Sequence, residues 1–379
     1  MNSENKTNPE PRKRILIIGN ADSVWVKDYC EYVLKSIDSD VFILSSDNSR
    51  FQDYYRLNHI KVCLFPEGKK VISGKKLCKI MHESKFDYVH VQFGSRFNIR
   101  AALAIKRHTK QVIVTFWGSD LLRLNWLQAI ELSLYLPLVD RIIVLTHNML
   151  DSMQNNHLLR RFCKKVTIQD FGINILEQID LIESEDVIAF KQKRGIPQDA
   201  VTIGVGYNKS EGQQHLAVID SVAASLPSIL IDKVFFVFQM TYGNCSASYF
   251  AELIDILRRN KMRYVIIEGF LDSEDVATLR KSIDIYINAQ ITDALAATIN
   301  EYLYAGAIVL NPAWLKYDEL KSIGVIYNTY DSIESIPKAL CSELDRLQMD
   351  SLAVKKNKEL IRNHYSWGSI KHKWINLYD

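Results

Sequence analysis

The sequence lacks the features that mark metal-binding, secreted and membrane-spanning chains. Its six cysteines are scattered over 379 residues without a Cys-x-x-Cys pair, so we expect reduced thiols rather than a metal site or a disulfide framework. No apolar run reaches the roughly 18 residues that a transmembrane helix needs. Residues 1–13 have no apolar core of the kind found in signal peptides, and we expect them to form a disordered polar tail.

Net charge is also low, at +3, but its distribution is uneven. Residues 1–175 contain about 26 basic and 17 acidic side chains, or roughly +9, which leaves roughly −6 for the remainder. The first half, with basic groups such as Lys75, Lys76 and Lys79, suits an anionic membrane surface or a lipid diphosphate. Ordinary solvated surface is the alternative. No nucleic-acid partner is expected, because no helix-turn-helix, RNP or finger pattern is present.

Apolar strands alternate with amphipathic helices in both halves of the chain, which predicts an α/β fold with parallel sheets. In the first half the pattern predicts strands at 14–19, 40–44, 60–65, 87–92, 111–116 and 141–145. The second half repeats the pattern with strands at 200–206, 234–239, 264–267 and 283–289. Glycine and asparagine follow several of these strands, at the edge where doubly wound sheets bind ligands.

Two carboxylates, Asp293 and Glu301, stand eight positions apart after the last of these strands. Gly306 follows them and is typical of the residue that ends a helix. We therefore predict a helix whose first turn begins near Asp293. The N-terminus of such a helix directs N–H groups and the positive end of its dipole toward an anion.

This arrangement of strand, paired acids, helix and glycine resembles the acidic-x7-Glu motif of retaining GT-B glycosyltransferases, above all the family 4 group. The resemblance implies two Rossmann-like parallel-sheet domains that face each other across a cleft. An acceptor-binding domain is expected at 14–175 and a nucleotide-sugar-binding domain at 176–362. Residues 363–379 are expected to form a C-terminal helix that returns to the first domain, the alternative being a helix packed on its own domain.

The resemblance assigns roles to residues of the second domain. Glu301 is expected to bind the ribose of the donor, and Asp293 to contact its sugar. Backbone amides of the motif are expected to hold the diphosphate, and Phe270 and Leu271 to lie near the nucleobase. The remaining donor-binding candidates lie in the motif or after predicted strands: Leu295, Ala296, Ala297, Thr298, Gly206, Tyr207, Asn208, Thr241, Tyr242 and Gln290.

In the first domain, the segment that ends at Asp120 resembles a family segment that ends in Gly-x-Asp after a strand. Trp117 stands where many relatives have a histidine that touches the donor sugar. It is expected to stack on a sugar ring or an acceptor, or else to pack in the core. Asp120 is expected to hold a hydroxyl group, or to cap a helix from Leu121 onward. The acceptor-side candidates are Gly19, Asn20, Gly94, Ser95, Trp117 and Gly118.

The first loop of the second domain departs from the family pattern. Family 4 enzymes place an arginine and then a lysine in this loop, and both bind the donor diphosphate. Here Tyr207 or Asn208 takes the arginine position, and glutamines take the lysine position. Lys209 is expected to supply the missing cation, with a solvated loop lysine as the alternative. Together with Asp293 and Asp120 it completes the catalytic candidates.

The resemblance implies a hexosyl-type transferase that moves a sugar from a nucleotide-diphosphate sugar to a hydroxyl of a lipid-linked or free oligosaccharide, with retention of configuration. The expected setting is bacterial polysaccharide, capsule or O-antigen biosynthesis, in the cytoplasm or peripherally at the inner face of the plasma membrane. No metal or other cofactor is expected. Two alternatives remain open: a non-catalytic GT-B subunit that binds a partner transferase, and a nucleotide-sugar epimerase.

Overall fold

Two compact units make up the chain in the computed structural model, which describes residues 12–65, 75, 77, 79, 85–346 and 351–379. The first unit comprises the chain up to Asp170 together with Lys371–Asp379, and the second comprises Phe171–Ile370. Most of the predicted tail, and Lys76 of the basic group, lie outside the described residues. Lys13 does not belong to a tail, because it begins the first strand.

The first unit is built on a seven-stranded parallel sheet of order β3-β2-β1-β4-β5-β6-β7. Its central strands are mostly apolar and buried, because helices cover both faces of such a sheet. The strands are β1 Lys13–Ile18, β2 Ser39–Ser45, β3 Lys61–Leu64, β4 Phe86–Gln92, β5 Thr109–Thr115, β6 Arg141–Val144 and β7 Val166–Ile168. The helices are α1 Val24–Tyr32, α2 Gln52–Leu57, α3 Arg96–Ala104, α4 Ser119–Leu122, α5 Trp126–Tyr135 and α6 His147–Asn155, with 3-10 turns at Leu136–Leu138 and Arg160–Lys165.

The second unit has a six-stranded parallel sheet of order β10-β9-β8-β11-β12-β13. Its strands are β8 Val201–Val205, β9 Val234–Gln239, β10 Tyr264–Ile267, β11 Ile285–Ile287, β12 Ile308–Pro312 and β13 Asn328–Tyr330. Its helices are α7 Ile175–Leu181, α8 Ser184–Lys193, α9 His215–Ser225, α10 Ser228–Ile231, α11 Ala247–Arg259, α12 Ser273–Lys281, α13 Ala297–Ala305, α14 Asp318–Ser322, α15 Ile336–Arg346 and α16 Ser351–Tyr365. The boundary between the units falls within α17, Trp367–Ile375.

Each sheet reverses its strand order at one point, between β1 and β4 in the first unit and between β8 and β11 in the second. In open parallel sheets, ligands bind beyond the carboxyl ends of the strands at such a reversal. Gly19 and Gly94 follow β1 and β4, and Gly206 and Gln290 follow β8 and β11. The predicted α/β fold with two parallel sheets is therefore confirmed, and its topology places the predicted site residues at the ligand-binding edges.

The C-terminal residues complete the core of the first unit. The Tyr378 hydroxyl lies 3.0 Å from the Tyr29 hydroxyl and 2.6 Å from His90 Nδ1, and His90 Nε2 lies 2.7 Å from Thr115 Oγ1. Trp374 Nε1 donates to a backbone carbonyl of the same unit at 2.8 Å. Burial lowers the pKa of His90 to about 3, so the imidazole is neutral at pH 7. The predicted return of the C-terminal helix to the first domain is confirmed.

We expect Tyr378→Phe to lower the free energy of unfolding of the first unit by about 1–3 kcal/mol, because Tyr29 and His90 lose a shared partner inside the core. Urea titration followed by tryptophan fluorescence measures this change. Tyr88→Phe is the matched control, because the contact of the Tyr88 hydroxyl with the Asp379 carbonyl is long, at 3.4 Å, and exposed. Equal losses in the two variants would contradict the structural role assigned to Tyr378.

Candidate functional site

The helix that carries Glu301 begins later than the sequence predicts. Helix α13 starts at Ala297, whereas its first turn was expected near Asp293. Leu295 has φ +61°, a left-handed conformation that an α-helix excludes. Asp293 Oδ2 instead accepts hydrogen bonds from Ala296 N at 2.9 Å and from the Tyr317 hydroxyl at 2.6 Å. Asp293 therefore holds the loop that leads into the helix, and Glu301 lies in the second helical turn.

A buried polar network supports this loop from below. Asn288 Nδ2 donates to the Tyr317 hydroxyl at 3.1 Å and to Asn311 Oδ1 at 2.8 Å. The Tyr330 hydroxyl donates to the Asn288 carbonyl at 2.6 Å. Burial and the neighbouring Asp293 raise the pKa of Tyr317, so its hydroxyl keeps the proton that it donates. The loop before α13 is thus fixed to the carboxyl ends of β11, β12 and β13.

The N-terminus of α13 has no side-chain cap. Its N-cap residue is Ala296, which carries no acceptor, and the first turn contains no acidic side chain. The first N–H groups of an α-helix have no acceptor within the helix, and they coincide with the positive end of its dipole. This end of α13 follows β11 at the reversal of the sheet, so the backbone there is arranged to receive an anion.

Glu301 forms a buried ion pair that sequence reasoning did not foresee. Its Oε2 accepts from Arg280 Nε at 2.8 Å, and both side chains are nearly inaccessible to solvent. Arg280 Nη1 also donates to Gln239 Oε1 at 2.8 Å and to the Tyr302 hydroxyl at 3.0 Å. The pair fixes the orientation of the Glu301 carboxylate. One sequence signal was present: Arg280 follows the buried Ala277 by one helical turn, on the inner face of α12.

The loop after β8 folds tightly over two polar side chains. Gly206 has φ +66°, and a Cβ atom there would lie 2.7 Å from His215 Nε2 and 3.0 Å from Gln213 Oε1. Gln213 Oε1 accepts from Tyr207 N at 3.2 Å. Burial lowers the pKa of His215 to about 4, so this imidazole is neutral at pH 7. The loop therefore requires glycine at 206, and the two side chains lie beneath it.

Lys209 has an acidic partner in the same unit. Its Nζ lies 2.8 Å from Glu268 Oε1 and 4.3 Å from the centre of the Phe250 ring. The hydrogen bond to Glu268 raises the pKa of Lys209. Asn208 Oδ1 accepts from Ser210 N at 2.8 Å and shapes the same loop. The loop thus holds a cation, and a ligand that used it would compete with Glu268.

The other donor-side candidates differ in exposure. The side chains of Tyr242 and Phe270 are exposed, whereas Leu271 belongs to the apolar core of the unit. Thr241 Oγ1 lies 3.4 Å from Gln239 Nε2. Gln290 is buried, with its Nε2 3.5 Å from the Tyr207 hydroxyl, and its Oε1 has no hydrogen-bond partner among the residues that the structure describes. Of the two residues predicted near the nucleobase, only Phe270 presents its side chain to solvent, and both roles stay predictions.

In the first unit, Asp120 binds backbone amides of two loops. Its Oδ1 accepts from Trp117 N and Gly118 N, each at 2.9 Å, and its Oδ2 accepts from Gly94 N at 2.6 Å. Burial nevertheless raises the pKa of Asp120 to about 6. The alternative of a helix N-cap is wrong, because α4 begins at Ser119 with Gly118 as its N-cap. Asp120 joins the loops that follow β4 and β5.

The remaining acceptor-side candidates shape these turns. A Cβ atom at Gly94 would lie 2.4 Å from the Phe116 ring, so only glycine fits there. Ser95 caps α3 by accepting from Asn98 N at 3.2 Å. Next to β1, a Cβ atom at Gly19 would lie 3.1 Å from a backbone carbonyl, and Asn20 Oδ1 accepts from an N–H two residues further on.

Trp117 packs beside a second indole. Its ring centre lies 5.8 Å from that of Trp25, with the planes tilted by 47°. Within the described part of the chain, no cluster of three or more His, Cys, Asp or Glu side chains is arranged to hold a metal ion. In the same residues, no helix combines the length and the apolar character needed to cross a bilayer.

The chain is similar to a known protein family and to solved structures. Residues 14–144 match the family described as "Glycosyl transferase 4-like". This part of the first unit is therefore similar to that family, and the whole chain has the GT-B fold of the structures that follow. A glycosyltransferase from Rickettsia africae aligns with a TM-score of 0.76 at 14% identity, over 97% of this chain and 98% of that one. No curated protein sequence matches the chain.

Two further structures share this GT-B fold over nearly their full lengths. Anabaena HepE in complex with UDP-glucose aligns with a TM-score of 0.73 at 14% identity, over 96% of this chain and 98% of that one. Sucrose-phosphate synthase from Thermosynechococcus elongatus aligns with a TM-score of 0.72 at 13% identity, over 97% and 98%. The predicted resemblance to family 4-like GT-B glycosyltransferases is confirmed at the level of fold.

We expect Arg280→Met to lower the free energy of unfolding of the second unit by about 3–5 kcal/mol, because it leaves the Glu301 carboxylate buried and unpaired. Adding Glu301→Leu should recover most of this loss, since both charges are then absent. Lys209→Met is the control and should change stability by less than about 1 kcal/mol, because its ion pair is largely exposed. Guanidinium titration of all three variants measures these changes in unfolding free energy. If the double variant recovered no stability, the buried ion pair would be contradicted.

The raised pKa of Asp120 predicts a pH dependence of stability. Between about pH 4 and pH 6 the native carboxyl binds more protons than the unfolded one, so this group contributes more stability as the pH falls. The unfolding free energy of the wild type minus that of Asp120→Asn should therefore increase as the pH falls through 6 toward 4. Urea titrations at several pH values measure this difference. A difference that is constant or shrinks over this range would show that the pKa is not raised.

Proposed function

We propose that this chain is a retaining glycosyltransferase that transfers a sugar from a nucleotide-diphosphate sugar to a hydroxyl of a saccharide acceptor. The observation that carries the proposal is the uncapped N-terminus of α13, between Asp293 and Glu301 at the reversal of the second sheet. This arrangement offers backbone donors to a diphosphate and carboxylates on either side of it. The family match of the first domain and the fold shared with HepE, which was solved with UDP-glucose, support it.

The geometry of the second unit supports the following binding roles. Amides at the start of α13 hold the diphosphate, and the Glu301 carboxylate, oriented by Arg280, accepts hydrogen bonds from the ribose hydroxyls. The exposed ring of Phe270 contacts the nucleobase. Lys209 reaches the diphosphate after leaving Glu268, with which it shares a single exposed ion pair. Asp293 positions the loop beside the sugar.

The chemical step needs no side-chain nucleophile in this scheme. The bond between the anomeric carbon and the diphosphate oxygen breaks, and a bond to the acceptor oxygen forms on the same face of the sugar. Because the bond to the leaving group breaks ahead of the bond to the acceptor, the transition state has oxocarbenium character. The departing phosphate takes the acceptor's proton. Negative charge that develops on the leaving group meets the dipole and amides of α13, together with Lys209. A divalent metal is not part of this proposal.

A lipid-linked or free oligosaccharide is the proposed acceptor, in the assembly of a bacterial polysaccharide such as a capsule or O-antigen. The first unit would bind it at the turns that follow β1, β4 and β5. A membrane-peripheral location at the inner face of the plasma membrane accords with the roughly +9 charge of residues 1–175. One observation favours a second candidate, a non-catalytic subunit: the loop after β8 lacks the arginine and lysine of the family pattern.

Thermal denaturation with UDP, GDP, TDP, ADP and CMP, each with and without EDTA, is the first test. A ligand at about 100 times its Kd should add about 2.7 kcal/mol of stability. Stabilisation by one nucleotide that EDTA leaves unchanged is expected. Stabilisation that requires a metal would contradict the metal-independent scheme, and none with any nucleotide would favour the non-catalytic subunit.

The double variant Arg280→Met/Glu301→Leu tests the ribose contact without leaving a buried charge. It should bind the nucleotide at least about tenfold more weakly, because a hydrogen bond to a charged group contributes about 1.5–3 kcal/mol. Isothermal titration calorimetry gives the affinity, and circular dichroism verifies the fold. A deoxyribonucleotide is the matched ligand control: its affinity should be less sensitive to the double substitution. Unchanged nucleotide affinity in the double variant would refute the role of Glu301.

A further inference from the structure

A cavity of about 570 Å³ is lined by residues of the first unit. It opens beside the loop that follows β4, between the start of α3 and one side of α5. Its walls include Arg96, Arg100 and Arg123, together with Gln128 and Glu131 of α5. Small-molecule sites typically occupy about 300–1,000 Å³, so this cavity has room for a phosphate-bearing headgroup with a sugar attached.

Positive charge dominates the walls of this cavity. Three guanidinium groups line it against two carboxylates, Glu131 and Asp120. Glu131 is paired with Arg96 and lies 3.9 Å from Arg100, while both oxygens of Asp120 accept from backbone amides. Each guanidinium has five donors in a planar fork that matches the oxygens of a phosphate. The N-terminus of the nine-residue helix α3 adds the positive end of its dipole at the same wall.

The outer side of α5 is apolar and exposed. Trp126 and Leu134 are 69% and 65% exposed, and Leu127, Ile130 and Leu138 are also exposed. Residues four apart lie on one face of a helix, so Trp126, Ile130 and Leu134 form a continuous strip. Leu127 lies four residues before Glu131, which lines the cavity, so these two residues lie on one face of α5. The apolar strip therefore borders the arginine-lined cavity along one helix, and a patch of this kind marks an interaction surface.

A second group of cations lies at the C-terminal end of α5. Arg161 Nη2 donates to the Ser133 carbonyl at 3.0 Å, and Lys165 Nζ donates to the Leu136 and Val139 carbonyls at 3.2 and 2.6 Å. The basic turn Arg160–Lys165 is thereby packed against the end of α5. An exposed strip of tryptophan and aliphatic side chains, with cations beside it and at its end, is typical of a helix that lies in the interface of an anionic membrane.

We infer that the cavity binds the phosphate or diphosphate group of an amphiphilic lipid-linked ligand, and that the outer face of α5 lies in the membrane that supplies it. The cavity and the strip share one helix, so a polar headgroup in the first would leave its apolar chain along the second. Identifying this ligand as the acceptor rests on the proposed function. The inference that the first unit binds a lipid phosphate is independent of that function.

Calorimetry of the full chain with farnesyl diphosphate, inorganic pyrophosphate and farnesol tests the cavity. Farnesyl diphosphate should bind at least about tenfold more tightly than either fragment, because it alone joins a charge-assisted phosphate contact to an apolar chain. The variant Arg100→Gln/Arg123→Gln should weaken its binding at least about tenfold. Arg56→Gln on α2 is the matched control and should have no effect. Equal binding of pyrophosphate, or unchanged binding in the double variant, would overturn the inference.

Vesicle co-sedimentation tests the outer face of α5. The wild type should bind vesicles of phosphatidylcholine with phosphatidylglycerol, and farnesyl diphosphate in the vesicles should increase the bound fraction. Leu127→Gln/Leu134→Gln should reduce binding severalfold, whereas Leu57→Gln, at an equally exposed leucine of the same unit, should not. If farnesyl diphosphate adds nothing, bulk headgroups are the source of binding and the specific site is refuted.

Size-exclusion chromatography separates a membrane surface from a protein interface. If Leu127→Gln/Leu134→Gln converts an oligomer to a monomer and leaves vesicle binding unchanged, the face of α5 binds protein and the inference is wrong. Nucleotide binding is measured on the same variants. Loss of farnesyl diphosphate binding with intact nucleotide binding would isolate the effect to the first unit. Farnesyl diphosphate binding without nucleotide binding would refute the proposed function and leave the lipid site standing.

Discussion

The buried ion pair between Arg280 and Glu301 is the interaction on which the candidate site most depends. Arg280 joins α12 to Glu301 and Tyr302 of α13 and to Gln239 at the end of β9. Two charges inside a core are tolerated only when each satisfies the other and neighbouring groups satisfy the rest. That requirement allows one arrangement of the helix, and so it also fixes the direction in which the uncapped amides of α13 point.

Much of the fold could be predicted from the sequence, because strands that are buried on both faces of a parallel sheet need long apolar runs. The strand expected at 234–239 matches β9 residue for residue. The start of α13 could not be predicted, since it depends on the hydrogen bond from Tyr317, 24 positions away, to Asp293. Arg280 and Glu301, 21 positions apart on different helices, pose the same difficulty: periodicity shows which face is buried but not which groups meet there.

Both units use carboxylates to hold loops at the ligand-binding edge. Asp120 accepts three backbone N–H groups, and Asp293 accepts one together with a tyrosine hydroxyl. These two acids, which the sequence motifs suggest as catalytic residues, therefore hold backbone loops in place. In the proposed function, backbone amides meet the anionic ligand in the second unit, whereas arginine side chains line the cavity of the first. A site built in this way would tolerate the unusual loop after β8, since backbone donors do not depend on side-chain identity.

The position of Tyr378 and Trp374 inside the first unit affects the order in which the protein can be completed during synthesis. All seven strands of that unit precede the second unit, yet the hydroxyl that pairs with His90 and Tyr29 comes from the last nine residues. The 200 residues of the second unit must be translated in between. At a typical 5–20 residues per second this takes roughly 10–40 s. Of the two domains, the one that emerges earlier from the ribosome is thus the one whose core closes later.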